Sequence, residues 1–302
     1  MGSTPSAMPL ITPDQNGRLV TNSTSAAMGD SNGGQGEGHS WPAEHPAFDT
    51  SVAHQARIYD YWLGGRDNFA ADRRAGEAAI EAYPDTVYTA RANRAFLGRA
   101  VRFLAGEAGI RQFLDIGTGI PTAGNTHQIA QEIAPDSRVV YVDHDPVVLA
   151  HARALLVGTP EGATEYLDAD LRDTATILRQ AAGKLDFRRP VAVTLLAILH
   201  AIGDEDDPYG IVTAIVGALP PGSYLVISHG ASDIEPEKLA SMVGQLNRLS
   251  HQQFTARSHA AVLRFFDGLE LVEPGLVQVQ QWRPEIAGGR PAAMWAGVAR
   301  KP

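Results

Sequence analysis

The 302-residue chain contains no cysteine. Disulfides, thiolate zinc sites, iron–sulfur clusters and a cysteine nucleophile are thereby excluded. Long apolar runs are missing too. The longest, PVAVTLLAIL from Pro190 to Leu199, is strand-sized and falls short of the roughly 20 residues that span a bilayer. No basic stretch followed by an apolar core opens the sequence, so no signal peptide is expected. Positive charge is in deficit: the net charge is -9 and the pI about 5.5, which argues against a non-specific nucleic-acid binder. The H-E-x-x-H zinc helix and the P-loop do not occur, and no G-x-S-x-G stands as an elbow between a strand and a helix. These absences leave a protein expected in the cytoplasm, with neither membrane nor nucleic acid as partner.

What is present points to a packed core, since 44% of residues are hydrophobic. Residues 1–45 are rich in Ser, Thr, Gly, Asn and Pro and are expected to form a disordered tail. Residues 46–110 are expected to form a helical cap. Within it, SVAHQARIYDYW has helical spacing, LGGRDN breaks the chain, and further helices start near Ala70 and Asp85. From residue 111 to 302 the pattern changes. QFLDIG, RVVYVD, ATEYLDAD, VAVTLLAIL and SYLVISHG read as strands, with helical segments between them. That alternation implies βαβ crossovers and a parallel sheet covered on both faces. LELVEPGLVQVQQW and AAMWAGVARK read as further strands without a full helix between them, giving an antiparallel edge. The expected fold is α/β and Rossmann-like, with a mostly parallel seven-stranded sheet.

Ligands of open α/β sheets sit at the carboxyl ends of the strands, and here those ends carry acids. The first strand ends at Asp115, the second at Asp143 and Asp145, the third at Asp168 and Asp170. Any one Asp is a common turn residue or helix cap. Several on one rim repel each other unless a ligand or cation offsets them. The first loop reads FLDIGTGIPTAG. After Gly117 and Gly119, the third glycine of a dinucleotide loop is absent, and Pro121 removes a backbone N–H where pyrophosphate would seek one. A phosphate-free nucleoside with a positive centre suits this rim better, and S-adenosylmethionine is such a ligand. An oxidoreductase using a nicotinamide dinucleotide stays open as a rival.

FLDIGTGIPT, VVYVDHDPVVLAHARALL and YLDADLRD resemble the class I S-adenosylmethionine-dependent methyltransferases. ARIYDYWLGGRDNFAADR and RFFDGLELVEPGLVQVQQWRP resemble an actinobacterial branch of them, the DUF574 or S-adenosyl methyltransferase family. The resemblance runs from about residue 48 to the C-terminus. It implies that Asp115, Gly117 and Gly119, with Pro121 shaping the turn, surround the methionine part of the cofactor. Asp143 would take the ribose hydroxyls with His144 beside the adenine, and Asp170 with the backbone of Leu171 would meet the adenine amino group. Tyr59, Tyr61, Arg66 and Asn68 either face inward as a cap over the cofactor or acceptor, or belong to a helix–Gly-Gly–helix packing turn. His200 is the candidate general base for a small-molecule acceptor, or else a packing histidine. His229 is a weaker candidate for the same role. The run GDEDDP, Gly203 to Pro208, reads as a solvated turn and helix start, so no metal is expected. A protein that binds the cofactor without chemistry remains an alternative.

Overall fold

The computed structural model describes residues 11–13, 19–21, 49–155, 158–286 and 288–302. The expected disordered tail, residues 1–45, lies mostly outside them. Within that stretch, β1 (Ile11–Pro13) pairs antiparallel with β2 (Leu19–Thr21). Residues Ser51–Pro302 form a separate compact unit that contains both the cap helices and the sheet.

That unit opens with α1 (Gln55–Leu63), α2 (Ala70–Ala82) and α3 (Thr86–Arg102), which ends in a π-helical turn at Phe103–Glu107. Parallel strands and helices then alternate: β3 (Gln112–Ile116), α4 (Thr126–Ile133), β4 (Arg138–Asp143), α5 (Pro146–Leu155), β5 (Ala163–Asp168), α6 (Thr174–Ala181), β6 (Ala192–Leu196), α7 (Pro208–Gly217) and β7 (Tyr224–Gly230). The sequence reading has no element corresponding to α8 (Pro236–Leu249), which precedes the short α9 (His259–Leu263). α8 starts at a proline in its first turn and buries Leu239, Met242 and Leu246, the i, i+3, i+7 stripe of an amphipathic helix. It packs on α2.

Across the sheet the order is β5-β4-β3-β6-β7-β10-β8, where β8 is Glu270–Leu271 and β10 is Met294–Arg300. The first five strands keep the Rossmann order 3-2-1-4-5. β10 is antiparallel and lies between β7 and the edge. β9 (Val277–Gln278) pairs with β10 as well, so the edge strand is interrupted between β8 and β9. Side chains alternate across the sheet as period-2 geometry requires. Leu114, Ile116, Val140 and Val142 face one core layer, and Phe113, Val139 and Tyr141 face the other, under α3 and α4. The order of connection reverses between β3 and β6, which opens a crevice at their carboxyl ends. No helix among the described residues is long and apolar enough to cross a membrane.

Candidate cofactor site

The tips of β3, β4 and β6 meet α1 and α3 around a cleft of about 940 Å³, open mouth included. Its floor is the glycine loop. Gly117 has φ +74, and a Cβ there would lie 2.5 Å from Ile198, so both conformation and space demand glycine. Gly119 has φ +67, and nothing lies within 4 Å of where its Cβ would be. The first glycine is needed for packing; the second leaves the backbone bare toward the cleft.

Three carboxylates line the cleft, each held from behind. Asp143 accepts three backbone N–H bonds: Oδ1 from His144 (2.8 Å) and Asp145 (3.0 Å), Oδ2 from Gly119 (2.8 Å). A carboxylate offers about four acceptor positions, so one remains on Oδ2. Asp115 accepts from Thr126 Oγ1 at 2.6 Å and Thr194 Oγ1 at 2.7 Å, tying the start of α4 to β6. Burial pushes its carboxyl up despite these bonds. Asp60, on α1, is gripped by the loop that follows its own helix. The Asp67 backbone N–H and Asn68 Nδ2 donate to its Oδ2 at 3.0 and 2.8 Å. A Cβ on Gly65 would fall 1.9 Å from its Oδ1. Burial raises Asp60 as well. Against these acids the described lining sets one guanidinium, Arg94, which already donates to the carbonyls of Ala123 and Gly124. The balance of charge favours a ligand with a positive centre.

His144 lines the cleft from the β4 tip. On the cap side stand His54, Gln55 and Tyr59. His54 Nδ1 lies 2.6 Å from Asp145 Oδ2, joining the start of α1 to the rim of α5. The Tyr59 hydroxyl accepts from Asn93 and donates to the Ala90 carbonyl, which fixes its ring as a wall.

Other expected residues stand elsewhere. Pro121 is outside the lining, although its neighbours Ile120 and Thr122 belong to it. Asp170 is gripped by Arg172, at 2.7 Å, which also reaches Asp206. Hydrogen bonding to Arg172 holds the Asp170 carboxyl below its ordinary value. Leu171 is buried in the core layer on the α6 side. Of the four cap residues only Tyr59 reaches the cleft. Tyr61 donates to Glu77, Arg66 is exposed, and Asn68 serves Asp60. Positions two apart on an α-helix point about 200° apart, so Tyr59 and Tyr61 cannot share one wall. The sequence reading overlooked Asp60, which lies between them, and Gln55. Both follow from the spacing 55–59–63 with Asp60 beside it, once one face of α1 is chosen.

Both histidines are buried. Burial pushes His229 down to about 4. Its Nδ1 meets the Gly230 carbonyl and its Nε2 meets Arg257. Because Arg257 can only donate, both ring nitrogens are committed and His229 offers no free base. Arg257, itself buried, also donates to the carbonyls of Leu199 and Ile202 and to Asp204, fixing the loop that carries His200. Burial, followed by His229 and Arg257, holds His200 well below 6.5. A ring so hard to protonate is a weak general base at neutral pH, contrary to the role expected of it. Three of the four acids in the run after it have partners: Asp204 pairs with Arg257, Asp206 with Arg172, and Asp207 caps α7 through Gly210.

Residues 42–302 match a protein-family model described as S-adenosyl methyltransferase. The crystal structure of a DUF574 family protein from Streptomyces avermitilis is similar, with 49% sequence identity and a TM-score of 0.82, covering 84% of this chain and 99% of that one. A candidate methyltransferase from Thermobifida fusca has 40% identity and a TM-score of 0.79, covering 86% of this chain and 98% of its own. No curated protein matches the chain.

Proposed function

Because the chain belongs to the S-adenosyl methyltransferase family, we propose that its cleft binds S-adenosylmethionine and that the methyl group passes to a small-molecule acceptor. The cofactor supplies an activated methyl group on a sulfonium centre. The chain's own residues bind and orient. Asp143 keeps one acceptor position for a ribose hydroxyl while three N–H bonds hold its carboxylate in place. Gly119 leaves room for close approach. Asp60 and Asp115 add negative charge to a wall with little positive charge. Tyr59 closes the side toward the rest of the cap. Catalysis by proximity and alignment suits this inventory, since neither His200 nor His229 lines the cleft.

The observation that carries this reading is Asp143: pre-held, at the tip of β4, with a single acceptor position unused. Calorimetric titration with S-adenosylhomocysteine and, separately, with NAD tests it. The wild type should bind the first and not the second. Asp143→Ala should weaken S-adenosylhomocysteine binding by about 1–3 kcal/mol, as loss of a hydrogen bond to a charged group entails. Unchanged affinity in that variant would remove Asp143 from the site.

A further inference from the structure

A second cavity of about 450 Å³, open mouth included, adjoins the cleft, and Tyr59 and Ala197 line both. Its walls are almost wholly apolar, with Trp62, Leu239, Met242, Phe254 and Met294 supplying much of them. Its few polar groups include the hydroxyls of Tyr83 and Thr89 and the ring of His200. His200 is 3% exposed, and its Nδ1 has no hydrogen-bond partner. The identity of that nitrogen follows from Gln55. The Gln55 amide nitrogen donates to the Ala197 carbonyl at 3.1 Å and also abuts His200 Nε2. An NH₂ group has no lone pair to offer, so Nε2 accepts and the proton of the neutral ring is assigned to Nδ1. The ring is stacked on Phe254, 4.0 Å between centroids, which fixes its direction. The cavity wall therefore carries a buried N–H donor without an acceptor, which a ligand or a water in the cavity would satisfy.

Ala197, at the junction of cleft and cavity, is a non-glycine residue with φ 53. Two bonds from its N–H, to Ser228 O and Ser228 Oγ, and one from Gln55 to its carbonyl, keep it there. Strained backbone held this firmly is common at functional sites. Here it sets a small side chain where the two spaces meet.

We propose that this cavity is the acceptor subsite, and that it takes a neutral, phenol-sized aromatic whose hydroxyl oxygen accepts a hydrogen bond from His200 Nδ1. The proposal rests on the cofactor reading above. The acceptor is neutral because no Lys or Arg is among the described residues of the wall, and an unpaired buried carboxylate or phosphate is costly. It is aromatic because the wall offers ring faces and two thioethers, which pack well on flat rings. It attacks through oxygen because oxygen has two lone pairs, one for His200 and one for the methyl carbon. A neutral amine held by the same donor would spend its only pair. On transfer the O–C bond forms as the C–S bond breaks, the C–S electron pair stays on sulfur and discharges the sulfonium, and the hydroxyl proton passes to water. The product is an aryl methyl ether. His200 is then a binding donor for the acceptor.

The test uses the full chain, titrated with phenol, toluene and benzoate, each with and without saturating S-adenosylhomocysteine. Phenol should bind roughly tenfold more tightly than toluene, the effect of one well-placed hydrogen bond, and benzoate should not bind. His200→Phe should erase the preference for phenol over toluene while S-adenosylhomocysteine affinity stays within about twofold. A residue that only supported the fold would lower both probes alike. Ala90→Leu, which fills the cavity from α3, should exclude both aromatics and gives a second route if His200→Phe fails to fold. A chain that binds S-adenosylhomocysteine but not phenol, or a preference that survives in His200→Phe, overturns the proposal and leaves the cofactor reading intact. A chain that binds phenol but not S-adenosylhomocysteine overturns the cofactor reading, and with it the cavity's role as acceptor subsite.

Discussion

The cleft and the cavity beside it are opposite solutions to holding a ligand. In the cleft every carboxylate is bonded from behind, by backbone at Asp143, by threonines at Asp115 and by the Gly65–Asn68 loop at Asp60. Fixed acceptors of this kind need little reorganisation when a ligand arrives. In the cavity polar groups are scarce, and the His200 donor is left without an acceptor. The first arrangement gives affinity for many polar groups at once. The second gives selectivity, because an apolar wall penalises whatever its few polar groups do not satisfy.

Acid should pull the two regions apart, with the largest effect on the cavity side. His229 ordinarily titrates at 6.5 and is pushed down to about 4 by burial. Below pH 6.5 its unfolded form takes a proton and its folded form does not, so the unfolded state binds more protons and stability falls with pH. Its contribution is complete above 6.5 and is lost as pH falls toward 4. The size is about 3 kcal/mol for this residue. His200 shifts in the same direction and adds to the loss. The cleft acids have the opposite sign. Burial raises Asp60 and Asp115 above 3.8, so their contribution is complete below 3.8 and is lost as pH rises through their folded values. Urea unfolding at intervals from pH 7 to 4, of the wild type and of His229→Gln, should therefore separate the histidine loss from the gain at the acids. In His229→Gln the slope should be shallower by about one proton. An unchanged slope would mean that the ring titrates freely in the folded chain.

A smaller loss, about 2–3 kcal/mol, is expected for Gly117→Ala, which adds positive-φ strain to a 2.5 Å approach to Ile198. Gly119→Ala carries the same strain without the clash and should cost about 1 kcal/mol in urea unfolding. Equal losses in the two variants would mean that Ile198 moves aside. Both should act on the cleft and spare phenol binding next door.

These contrasts explain what the sequence made legible. The strands from QFLDIG to SYLVISHG and the acids at their tips follow from local pattern, because each βα unit carries its own signal: an apolar run, then Asp or Gly, then a helix. α8 carried the same kind of signal, in Pro236 and the Leu239–Met242–Leu246 stripe, but the sequence reading missed it. The insertion of β10 between β7 and the edge was not legible, because pairing order leaves no mark on a strand's own residues. The cavity is harder still. Its wall draws on α1, the end of α2, α3, the β6 loop, α8 and residues 293–294, and none of these segments is distinctive by itself. His200 stood out as a chemical residue, but its protonation depends on Gln55, 145 positions away.

Asp170 gives the smallest expected effect and the finest test of where the cleft ends. The acid pattern treats it as equivalent to Asp143, one βα unit earlier. The structure separates the two: Asp143 faces the cleft under three N–H bonds, whereas Asp170 is about one-third exposed and paired with Arg172 at 2.7 Å. Exposed ion pairs contribute about 0–1 kcal/mol, so Asp170→Ala should change stability by no more than that. It should also move S-adenosylhomocysteine affinity by less than about threefold, well short of Asp143→Ala. If the two variants weaken binding equally, Asp170 leaves Arg172 when the cofactor arrives and the site extends to the tip of β5. Arg172→Ala would then tighten binding, because the carboxylate would no longer have to be released from its partner.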